Sequence, residues 1–144
     1  MSRWTQSLIR IANHTVEGMQ KQLAEIAGRR RDVQVQQAQL SQEVDAEAQH
    51  VRNHPESGAS HRAYLSGVDL KREAFDQTLA GLDLEEEQVR QALAEAFEAL
   101  KKYEIMAQTI KLAEDRELAR QDMAMLDEVG LRVSRGGRDY SSEA

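Results

Sequence analysis

Residues 79–103 read LAGLDLEEEQVRQALAEAFEALKKY, and this stretch decides the fold. Leu79, Leu82, Glu86, Val89, Leu93, Ala96, Leu100 and Tyr103 fall at alternating steps of three and four, with Glu86 the single interruption. Such spacing repeats every 3.5 residues, which keeps one apolar seam facing a partner along a left-handed supercoil. Working outward, the same steps take in Leu65, Val68, Arg72 and Phe75 on one side and Ala107 and Ile110 on the other. The first half of the chain carries a matching series at Ile9, Ala12, Val16, Met19, Leu23, Ile26, Arg30, Val33, Gln37, Leu40, Val44, Glu47 and Val51.

Between the two series stands Asn53-His54-Pro55-Glu56-Ser57-Gly58, which holds the only proline of the chain. Proline removes a backbone donor and closes the helical conformation to the residue before it, so the chain turns here. The expected fold is all-α: a long antiparallel two-helix coiled-coil hairpin with an overhanging C-terminal helix. Helix one is placed near residues 3–53 and helix two near 59–129, with Ser57 or Ser60 as the cap. Gly130 is expected to stop helix two. The domain reading is a hairpin over 1–130 with its turn at about 53–58, then a flexible tail over 131–144 that includes Ser134, Gly136, Gly137, Ser141 and Ser142.

Folding about the turn makes the numbers of facing residues sum to a near-constant, so Val51 meets Leu65, Leu23 meets Leu93 and Ala12 meets Tyr103. The same register puts Arg30 in the layer of Glu86, so the two charged misfits of the seam are expected to pair. A seam ion pair is good evidence for register, because a one-heptad slip would leave each charge facing hydrocarbon. Helix one runs out near Trp4, which leaves residues 112–129 without a mate. A lone segment of that length is marginal in water and points to a partner.

Composition narrows the function. The chain has 144 residues, of which 31% are charged and only 4% aromatic, too little material for a multilayer globular core. It lacks cysteine, which excludes disulfides, thiolate metal sites and a cysteine nucleophile, and this fits a cytoplasmic protein. No apolar run approaches the roughly 18 residues of a membrane span, so neither a signal peptide nor direct membrane insertion is expected. A net charge of −6, with basic residues scattered among acids apart from Arg29-Arg30-Arg31, argues against nucleic acid as a partner. A two-helix rod offers no water-excluded pocket in which carboxylate pKa values could be moved, so no enzymatic activity and no cofactor are expected. His50 and His54 have metal-pair spacing with His61 nearby, but Pro55 frays the helix at the second histidine, and solvated tip histidines are the preferred reading.

Apolar residues off the seam stand out, because the outside of an isolated coil should be polar, and they read either as widened flanking packing of the coil or as docking surfaces for another protein. Trp4, Leu8 and Ile11 gather at the open end, where the overhang adds Leu118, Met125 and Leu126. Tyr64 and Leu70 form a weaker second patch near the turn.

The block Ala96-Phe97-Glu98-Ala99-Leu100-Lys101-Lys102 and the terminal Leu126-Asp127-Glu128 resemble the C-terminal half of the FliJ proteins of alphaproteobacteria. Length, turn position and helix proportions agree, while helix one carries little that is specific to that family. The resemblance implies a non-enzymatic stalk of the flagellar type III export apparatus, whose helical ends project into the export ATPase ring. It also implies contact with the export gate membrane protein, export chaperones as further partners, and a cytoplasmic location at the periphery of the inner membrane. Two alternatives share the architecture: the stalk of a virulence-type secretion system, and a structural oligomeric coiled-coil scaffold.

Overall fold

The computed structural model describes the backbone of residues 3–141 and the side chains of residues 3–136. Helix α1 spans Arg3–Asn53, a short 3-10 turn spans Pro55–Ser57, and helix α2 spans Gly58–Ser141. Among the described residues there is no strand, and the fold is an all-α helical hairpin. No helix among them is long and apolar enough to cross a membrane.

Pro55 sits at the first position of the turn, where its missing N–H leaves no bond unmade. The His54 N–H donates to the Val51 carbonyl at 3.2 Å and the Ser57 N–H to the His54 carbonyl at 3.0 Å. The reversal therefore closes through backbone bonds rather than through the serine hydroxyls expected to cap α2. His50 and Arg52 lie in the last turn of α1, where cations favour the exposed carbonyl end of the helix.

The chain divides into two compact units, Asn13–Phe97 and the segments Met1–Ala12 with Glu98–Ala144. In the first, the buried side chains are Val16, Ile26, Val33, Leu40, Val68 and Leu82, all drawn from the two seams. Met19, Leu23, Val44, Val51, Leu65, Phe75, Leu79, Val89 and Leu93 are half-buried beside them. A two-helix coil has only one layer of seam, so its flanks stay wet and few side chains are fully covered. Arg72 departs from the seam reading, since it is exposed. A long arginine stem can follow the apolar surface while its guanidinium stays in water.

In the second unit Ala12, Leu100 and Ala107 are buried, with Ile9, Tyr103 and Ile110 half-buried. Its most enclosed residue is Thr5, 1% exposed. Every described residue from Lys111 to Gly136 is exposed, so α2 has no mate over that stretch.

Gly130 does not end α2, which continues to Ser141. Glycine stops a helix by adopting a left-handed conformation, and no described glycine has a positive φ. Across Gly130 the Arg132 guanidinium donates to the Glu128 carboxylate at 2.9 Å, an i, i+4 pair that supports continuation. Residues 142–144, the last part of the expected tail, lie outside the described residues.

Candidate partner-docking site

The middle of the hairpin carries a charged lock, in which the arginine triplet on α1 faces the acidic run on α2. Arg30 donates to Glu86, and also to the Asp83 carboxylate at 2.8 Å. Arg90 holds the other Glu86 oxygen at 2.9 Å through Nε and 2.6 Å through Nη2. Arg29 pairs with Glu85. These bonds hold the Glu86 carboxyl below its ordinary pKa, Arg30 first and Arg90 second, against a smaller opposing effect of desolvation. Arg30 is raised in turn, by Glu86 first and then Asp83. Arg30 and Glu86 are both part-buried, so this network fixes which layers face each other, and its chemistry is structural. Asp83 was not foreseen; it stands three residues before Glu86, on the same helical face, and that spacing was the available signal.

At the turn, the His50 and His54 rings stack with centroids 4.4 Å apart, and His54 Nδ1 lies 3.0 Å from the His50 carbonyl. Among the described residues no group of three or more His, Cys, Asp or Glu is placed to hold a metal ion. Tyr64 is half-buried with its ring 6.3 Å from that of His61, whereas Leu70 is exposed. Six residues apart on one helix, the two lie on different faces and form no common patch.

In the other unit, Trp4 and Ile11 are exposed and Leu8 is half-buried against the coil. Thr5, the buried residue among them, was missed because it is polar, although a step of four back from Ile9 lands on it. Leu118, Met125 and Leu126 lie on the unmated stretch of α2 and are all exposed. Leu118 and Met125 are seven residues apart and share a face, with Leu126 beside Met125 and Val129 one turn further on. The structure does not pack these residues onto Trp4, Leu8 or Ile11; they follow the last half-buried residue, Ile110, along α2.

Polar groups frame this apolar edge. Arg120 Nη2 donates to Glu117 at 2.8 Å and Arg132 to Glu128 at 2.9 Å. The Glu117 carboxyl is held below its ordinary pKa chiefly by Arg120. Such an arrangement, apolar anchors rimmed by ordered charges on a preformed helix, suits lateral burial in the groove of another protein.

No family model matches the chain, and no solved structure matches it. Two curated proteins do: the flagellar FliJ protein of Caulobacter vibrioides strain NA1000 / CB15N, 37% identical over 139 residues, and that of strain ATCC 19089 / CIP 103742 / CB 15, with the same identity. Each comparison covers 96% of this chain and all of the relative. That overall identity, over 96% of this chain and the whole of the relative, shows that the chain belongs to the FliJ family of flagellar proteins.

Proposed function

We propose that the chain is a non-enzymatic stalk and coupling component of the flagellar type III export apparatus, whose unmated α2 end docks onto the export ATPase. One observation carries the reading: from Lys111 to Gly136 the helix is preformed and wholly exposed, yet it presents Leu118, Met125, Leu126 and Val129 to solvent. A docking helix already folded loses little conformational entropy on binding, and its apolar residues gain a partner they lack within the chain. Trp4 and Ile11 extend the contact from α1.

On this reading hydrolysis belongs to the ATPase, and this chain supplies a shaped shaft whose charged residues, among them Arg116, Arg120, Asp127 and Glu128, set orientation. The export gate membrane protein and export chaperones are the further partners, met in the cytoplasm at the inner-membrane face. The flagellar relatives favour this system over a virulence-type one. The test is a pull-down with the export ATPase paired with circular dichroism on Leu118→Asp/Met125→Asp. The double variant keeps its helicity and loses ATPase binding; undiminished binding by a folded variant excludes this surface and turns the search to the separate faces of Tyr64 and Leu70 near the turn.

A further inference from the structure

The unmated stretch of α2 sets a carboxylate in the middle of its own apolar patch. At about 3.6 residues per turn, Leu118, Met125 and Val129 fall on one side of Asp122, and Ala119 and Leu126 on the other. The residues three and four positions away are the nearest on a helix surface, and for Asp122 they are Leu118, Ala119, Met125 and Leu126, all apolar. Asp122 and these neighbours are exposed, and all lie within Glu98–Ala144, in a single unit.

The other acids of this stretch are provided for or lie elsewhere. Glu117 is held by Arg120 and Glu128 by Arg132, so both are satisfied on the helix itself. Asp115 has Lys111 four residues before it. Asp127 stands about 140° round the helix from Asp122, outside the patch. Asp122 has no cation at any neighbouring helical position, and among the described residues its carboxylate has no hydrogen-bond or ion-pair partner. In water such a group is at no disadvantage. Under a docked protein it loses its hydration together with the leucines and methionine around it, and an ionised carboxylate covered without a counter-charge is strongly unfavourable.

We infer that the surface receiving this helix carries a cationic side chain, arginine or lysine, opposite Asp122. The inference rests on the reading of the unmated end as the ATPase-docking surface, and it names the chemistry that the partner brings to that surface. The pair fixes the register of docking, which an apolar patch alone leaves loose. A slip of one turn sets an apolar residue against the partner's cation. A slip of one heptad brings Asp115 to the place of Asp122 but also Lys111 to the place of Leu118, so that two cations crowd together.

An acid that serves only to keep an exposed patch in solution makes the opposite prediction, because replacing it with leucine then improves the contact. Affinity for the export ATPase is measured for the full-length chain and for Asp122→Leu, Asp122→Asn and Glu104→Gln, with helicity followed by circular dichroism. Asparagine keeps the shape of the side chain and loses its charge, while Glu104 is an exposed acid on the mated part of α2. Asp122→Leu and Asp122→Asn each weaken binding about tenfold or more, and Glu104→Gln leaves it unchanged. Binding by either helical Asp122 variant that equals or exceeds that of the natural chain overturns the inference, as does an equal loss in Glu104→Gln, which marks a general effect of charge. Leu118→Asp with Met125→Asp separates this inference from the reading beneath it. If that variant loses binding while Asp122→Leu keeps it, the cation alone is removed; if that variant keeps binding, the docking surface falls and the cation with it.

Discussion

Val33 and Val35 lie two residues apart on α1 within one unit, and the fold gives them opposite environments: 9% exposed for Val33 and 55% for Val35. Replacing either with alanine removes the same pair of methyl groups. At Val33 the loss of about 0.8 kcal/mol per buried carbon comes to about 1.6 kcal/mol, and an unfilled cavity adds to it. Alanine returns about 0.6 kcal/mol in helix propensity at both sites, because valine loses side-chain freedom against the preceding turn. Val33→Ala should therefore cost about 1 to 1.5 kcal/mol. At Val35 only about half of the transfer term applies, roughly 0.7 kcal/mol, and the propensity gain cancels it. The assay is urea unfolding followed by circular dichroism, with the slope checked for constancy so that midpoint shifts report stability. Equal shifts for the two variants, or a larger loss at Val35, would refute the seam assignment, since the seam is what separates two valines so close together.

Arg30→Glu should lower the unfolding midpoint, and Arg30→Glu with Glu86→Arg should recover part of it, the remainder lost because the exchange sets a new carboxylate near Asp83 and a new guanidinium near Arg90; identical midpoints for single and double variants would remove the pairing from the account. Glu86 has a folded pKa below its unfolded one, so its contribution is present above the ordinary carboxylate range and is lost as pH falls through the depressed value. Acid titration of stability should therefore be shallower for Glu86→Gln than for the natural chain, and parallel curves would contradict this. Gly130→Ala should raise helicity and leave the hairpin intact, because the helix passes through that residue with room for a Cβ; the gain is at most about 1 kcal/mol of local helix stability, and a loss of helicity would indicate a helix stop instead.

The seams were legible because their signal is redundant. Many apolar residues at one spacing survive individual exceptions, and the turn is announced by a proline at the only place where both series pause. Exceptions within the pattern were harder to read. Spacing assigns Arg72 to the seam, but a long side chain can leave the interface from a seam position, and only its exposure reveals that. Thr5 shows the converse, a polar side chain enclosed because its step is right. Gly130 looked like a stop because glycine tolerates the left-handed conformation, but tolerance does not impose it, and flanking helix formers with the Glu128 to Arg132 pair carry the helix on. At the proposed docking surface, the exposure of Trp4, Ile11, Leu118, Met125 and Leu126 follows from their being off the paired seam or beyond its end. The half-burial of Leu8 and the separation of Tyr64 from Leu70 depend on side-chain direction around each helix, which an inventory of apolar residues does not resolve.

On the proposed reading, the unmated end of α2 is the surface that meets the export ATPase. Photo-cross-linking from a reactive residue placed singly at Leu118, Met125 or Leu70, in the presence of the ATPase, tests it most directly. Docking through the unmated end gives covalent products with the ATPase from Leu118 and Met125 and none from Leu70. Products from Leu70 alone, with the C-terminal positions silent, would contradict it.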